Sequence, residues 1–142
     1  MNPPKGKRKG DRMSRSTTEV VDGALADILA ASPIKVEAVR LGLGMTIEEF
    51  AETVGRSVRT VSRWQTADGD TGAVRGSASR DVRRLAQLQF LVEEVLGREY
   101  AVEWLRSVNR GFNGKAPIDL VLEGHADVVI AALERLADGG PA

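Results

Sequence analysis

Apolar residues along this chain recur at three- and four-residue intervals, and glycine or proline interrupts the recurrence. That spacing collects side chains on one stripe of an α-helix. Val20, Val21, Leu25, Ile28 and Leu29 form a first stripe from about Thr18. Ser32–Pro33 then restarts the chain, since serine caps a helix and proline suits its first position, and this second helix is expected to end near Gly42–Gly44. In Met45–Gln65 the start is written twice: Thr46 and Glu49 have the spacing of a capping box, Met45 and Phe50 that of a hydrophobic staple. Ile47, Phe50, Ala51 and Val54 line one face, and Gly55 stops the helix in the left-handed conformation glycine adopts cheaply. Ser57 caps a further helix with apolar positions Val58, Val61 and Trp64.

Residues 67–78 carry three glycines without helical periodicity and predict a loop or linker. A longer helix follows from about Ser79 to Leu96, with a face so broad (Val82, Leu85, Leu88, Leu91, Val92, Val95, Leu96) that it must meet two neighbours or a second subunit. Ala101, Trp104, Leu105 and Val108 extend helical spacing through Arg98–Asn109, and Gly111, Gly114 and Pro117 mark a compact turn. A short helix is expected at Pro117–Leu122, and a last one carries Ala126, Val129, Leu133 and Leu136 before Gly139. No stretch shows the period of two that a strand requires, so the predicted class is all-α.

A length of 142 residues suits one domain, or two very small units sharing a core. No apolar run approaches the ~18 residues needed to span a bilayer, so no membrane association is expected. Cysteine is absent, which excludes disulfides and thiolate metal sites. The N-terminal MNPPKGKRKG lacks the apolar segment of a secretory signal, and the expected compartment is the cytoplasm.

The formal net charge of zero conceals a dipolar chain. Residues 1–16 carry six basic side chains (Lys5, Lys7, Arg8, Lys9, Arg12, Arg15) against Asp11, and too few apolar ones to fold. They read as a disordered basic arm. Residues 89–142 hold five basic and nine acidic residues, a net of −4. His125 is the single histidine, a capping or surface residue at a helix start; neither a Ser-His-Asp set nor a histidine metal cluster can be built. The glycines match no phosphate-cradling spacing. No enzymatic activity, metal or cofactor is expected.

Residues 46–65 have the form of a helix-turn-helix, whose second helix offers its polar face to the DNA major groove. Val58 and Arg59 sit in the first turn that reaches base edges, an arginine there can pair bidentately with guanine, and Ser62 and Arg63 also face outward. Arg56, Ser57 and Thr60 suit phosphate contacts. The stretch TIEEFAETVGRSVRTVSRWQ resembles the Xre/Cro-type helix-turn-helix family through Ala51, Gly55 and the run Thr60–Trp64, with Arg56 standing where the family usually buries a small aliphatic residue. The segment after Tyr100 resembles the toxin-binding domain of the Xre/MbcA/ParS antitoxins through Trp104–Leu105, Asn109, Phe112, Gly114, Pro117, Leu120, Gly124, Leu133, Arg135 and Leu136. Val108 stands where that pattern commonly has proline, and Phe112 where leucine is usual.

The resemblance implies a type II antitoxin whose partner is a RES-domain toxin, an NAD-consuming enzyme of ADP-ribosyltransferase-like fold. After the arm at 1–16, the expected division is an Xre-like helix-turn-helix domain 17–78 and a toxin-binding domain 79–142. Within it, Arg135, Leu136, Asp138, Gly139 and Gly140 are expected at the toxin cleft, and Trp104, Asn109, Gly114 and Pro117 as fold-forming residues. The expected assembly is a homodimer that binds operator DNA and represses its own operon. The alternative is a stand-alone Xre-family repressor whose C-terminal domain only dimerises.

Overall fold

The computed structural model describes residues 34–66, 74 and 76–139; the basic arm, the stripe from Val20 to Leu29, residues 67–73 and Gly140 lie outside the described residues. Among the described residues seven α-helices follow one another: α1 Val36–Gly42, α2 Ile47–Val54, α3 Val58–Thr66, α4 Ser77–Leu96, α5 Arg98–Arg106, α6 Pro117–Leu122 and α7 Ala126–Ala137, with a 3-10 turn at Arg110–Phe112. Among the described residues the only pairing of extended backbone is the isolated bridge Asn109–Lys115, and the class is all-α as expected.

Local signals place the start of α2 where the sequence predicts it. The Thr46 side chain accepts from the Glu49 N–H (3.0 Å) while Glu49 Oε1 accepts from the Thr46 N–H (2.9 Å), closing the capping box. Met45 and Phe50 are both buried beneath it. Gly55 takes φ 70° and ψ 34°, and its N–H and that of Arg56 satisfy carbonyls of the last turn of α2.

Three boundaries differ from expectation. α1 starts at Val36 rather than at Pro33: Ile34 and Lys35 precede it outside the helix, with Lys35 extended and Ile34 buried in the core. α4 starts two residues early, at Ser77, which brings Ala78 into the core as a fully buried helical residue. α5 ends at Arg106 instead of running to Asn109. Ser107 turns extended, and Asn109 is committed to the following turn: its N–H donates to Lys115 O (3.0 Å) and its side-chain oxygen accepts from Gly111 N–H (2.8 Å). Val108, expected on the buried stripe, is therefore 74% exposed. It occupies the position at which the pattern it resembles commonly has proline, a residue that cannot continue a helix.

The broad face of α4 finds its neighbours within the chain, packing against α7, α5, α1 and α2. Fully buried Phe50, Val61, Leu85, Leu88, Leu91, Leu105 and Leu133 belong to one continuous cluster, so α2 and α3 share a core with α4–α7. Trp104 lies edge-on to Phe112 (centroids 6.3 Å, 75°), and Pro117, at the first position of α6, is buried. These contacts, with Asn109, give the fold-forming roles expected of the pattern a structural basis. No described helix is long and apolar enough to cross a membrane.

Candidate functional site

α3 docks on α1 and α2 through Val61 and Trp64, which turns its other side to solvent. Arg56, Ser57, Val58, Arg59 and Arg63 are exposed; Thr60 and Ser62 are half-buried. Val58 is 38% exposed and so joins the outward set rather than the core. Ser57 Oγ accepts from the Thr60 N–H (3.2 Å) and donates to Thr60 Oγ1 (3.1 Å), capping α3 and fixing both hydroxyls at its tip. The Arg56 guanidinium donates to Gly55 O (3.1 Å), curled over the turn. Arg59 and Arg63 form no ion pair with the described residues, leaving two cationic forks on an open helical face.

Of the residues expected at the other end, Arg135, Asp138 and Gly139 are exposed at the close of α7. Leu136 is half-buried and packs on the core. The Asp138 and Gly139 N–H groups bond to Glu134 O (3.1 Å) and Leu136 O (3.0 Å), finishing the helix as a short turn. His125 precedes α7 as an exposed residue without a side-chain cap bond, the surface alternative of its two expected roles.

A polar link that no local spacing announces joins the two regions. Arg106 at the end of α5 donates to both carboxylate oxygens of Glu49 in α2 (2.6 and 3.1 Å) and to Gly44 O (2.6 Å). The Arg106 bond holds the Glu49 carboxyl below its ordinary range, helped by the Thr46 N–H and opposed by partial burial. Glu49 raises the Arg106 guanidinium in turn. Gly44 is also pressed against α5: a Cβ there would stand 2.6 Å from a methyl of Val102, and its φ is +68°. Arg40 of α1 completes the frame, donating to Gln65 Oε1 (2.8 Å) on α3 and to Met45 O (3.0 Å).

Comparison with known proteins places this arrangement. Residues 91–139 match the antitoxin Xre/MbcA/ParS C-terminal toxin-binding domain. The mycobacterial cidal antitoxin MbcA of Mycobacterium tuberculosis (strain ATCC 25618 / H37Rv) is 35% identical over 97 residues, 68% of this chain and 83% of the relative. A probable mycobacterial cidal antitoxin of the same strain is 28% identical over 96 residues, 68% of this chain and 79% of the relative. The crystal structure of the M. tuberculosis MbcT-MbcA toxin-antitoxin complex contains a chain of 33% identity and TM-score 0.56, covering 74% of this chain and 92% of that one. These spans are longer than the 91–139 segment, so the likeness includes helices before it. The relatives are antitoxins, a regulatory rather than a catalytic class, so this chain is not an enzyme; it belongs to the Xre/MbcA/ParS antitoxin family.

Proposed function

We propose that this protein neutralises a cognate toxin with its C-terminal module and represses its own operon with α3. The toxin half rests on one observation above the others: a structural relative of 33% identity was crystallised as the antitoxin of a toxin-antitoxin complex. Following the family resemblance, the partner is a RES-domain, NAD-consuming toxin, and Arg135, Leu136, Asp138, Gly139 and Gly140 enter or border its cleft. The net charge of −4 over residues 89–142 supports this assignment, since a cleft that receives a pyrophosphate needs positive charge and attracts an acidic partner.

The DNA half is supported by the α2–turn–α3 form and by the uncommitted Arg59 and Arg63. α3 enters the major groove, Val58, Arg59, Ser62 and Arg63 reach base edges, and Arg56, Ser57 and Thr60 hold the backbone. The protein acts as a homodimer on a near-palindromic operator with half-sites one helical turn, or a multiple of one, apart. Co-purification with the product of the adjacent gene tests the toxin half: a stable complex is expected, and two proteins that elute separately at micromolar concentration contradict it.

A further inference from the structure

Charge is divided unevenly along the described residues. Among the described residues, 55–85 hold six arginines (Arg56, Arg59, Arg63, Arg80, Arg83, Arg84) and one acidic residue, Asp81; the remainder hold seven basic and thirteen acidic residues. Half of those arginines lie on the first three turns of α4, outside the helix pair that motif spacing points to. Arg80, Arg83 and Arg84 are exposed, while Val82 and Leu85 between and beside them are buried, so α4 is anchored by its apolar face and offers the arginines to solvent. Among the described residues none of the three forms an ion pair.

Their position relative to α2 follows from a shared groove of about 280 Å³. Arg80, Asp81 and Arg84 line it together with Thr53 of α2 and Asp127 of α7. Thr53 stands two residues before Gly55, the turn that leads into α3, so Arg80 and Arg84 lie beside the last turn of α2, on the approach to the tip of α3. The two carboxylates disfavour an anion seated inside the groove. A polyanion passing across its mouth meets arginines one helical turn apart, about 6 Å along the axis. When a helix lies in the major groove, the elements beside its tip face the sugar–phosphate strands that border that groove.

We propose that Arg80, Arg83 and Arg84 form a phosphate clamp that grips the DNA backbone beside the site read by α3. The inference rests on the DNA half of the proposed function and adds a second, sequence-independent contact surface to it. Neutralisation of phosphates releases counterions, so each contact contributes about 0.9 to the slope of log affinity against log salt.

The test uses the full-length chain, the duplex from upstream of its gene and a scrambled duplex, with binding followed by fluorescence anisotropy from about 50 to 200 mM salt. R80Q/R84Q is expected to lose roughly tenfold in affinity near physiological salt on both duplexes, and to flatten the salt slope by about 2. R80K/R84K keeps the slope, because a phosphate contact needs the charge more than the fork. R59Q/R63Q instead loses the preference for the upstream duplex. Circular dichroism of R80Q/R84Q checks that these exposed changes leave the helices intact. An unchanged affinity and slope in R80Q/R84Q, while R59Q/R63Q still loses its preference, overturns the clamp and leaves the recognition helix standing. Weakened toxin binding with DNA binding intact also overturns it, assigning the arginines to a protein surface. A wild-type chain that binds neither duplex overturns both.

Discussion

The helix pair at 47–66 and the module from Arg98 to Gly139 differ in how far along the chain their defining contacts reach. The first is specified by near neighbours: a cap whose two residues stand three positions apart, a turn glycine, a serine at the next helix start. The second has a local turn of its own, which Asn109 closes with Gly111 and Lys115, but also depends on a tie between residues far apart in the chain, Arg106 reaching back 57 positions to Glu49. They differ in charge as well, cationic on the outer face of α3 and acidic over the C-terminal stretch. Yet both drain into one apolar cluster around α4. Two surfaces of different chemistry thus rest on a single core, so stability is shared while the two proposed recognition surfaces are separate.

Shared stability makes the strongest prediction. Phe50 is fully buried in α2, and Phe50→Ala should cost about 3–5 kcal/mol, a large part of the stability of a domain this size. Each region carries one of the two tryptophans, Trp64 in α3 and Trp104 in α5. Tryptophan fluorescence and far-UV circular dichroism of the same protein followed through urea should therefore report one coincident midpoint, and Phe50→Ala should move both probes together. Separate midpoints would break the comparison by showing two independently folding units.

Separate recognition comes next in size. Arg59→Ala and Arg63→Ala should each weaken operator binding by about 1–3 kcal/mol in a gel-shift titration while toxin affinity holds. Gly44→Ala probes the seam between the regions: a left-handed backbone and displacement of Val102 should cost about 2 kcal/mol in urea unfolding. A neutral outcome there would mean that α5 moves aside freely.

Glu49→Gln is the mildest, removing about 1 kcal/mol from a half-buried ion pair. Because Arg106 lowers the Glu49 carboxyl in the folded chain, the wild type's advantage is complete above the ordinary carboxylate value of 4.5 and fades as pH falls through the lower folded value. Thermal unfolding of the two proteins from pH 7 to pH 3 should therefore converge at the acid end. A difference independent of pH would assign the effect to packing.

Much of the helical fold was legible because the signals that start and stop helices act over three or four residues. Thr46, Glu49, Gly55 and Ser57 each do what their spacing predicts. Val108 was misleading because helical spacing continued into a segment that Asn109 recruits into a turn, and no periodicity reports a hydrogen bond to Lys115. The early start of α4 was hidden for a similar reason: Ser77 and Ala78 look like linker until Ala78 is seen buried against the core. For the candidate site, the outward face of α3 followed from one helix and its buried stripe. The seam did not: Gly44 against Val102 and Glu49 against Arg106 exist only once α5 has docked. The arginines of α4 were visible as letters, but only packing against α2 brings Arg80 and Arg84 into one groove with Thr53, two residues before the turn that leads into α3.

The central claim is that one small chain neutralises a toxin at its C-terminal end independently of the DNA-facing helix. Growth of cells co-expressing the adjacent-gene product with the wild type, with R59A/R63A, or with R135E/D138R tests it most directly. Wild type and R59A/R63A should both restore growth, and R135E/D138R should fail to do so while still folding and binding the upstream duplex. A toxin that kills in the presence of the wild type, or rescue lost with R59A/R63A and kept with R135E/D138R, would contradict the account.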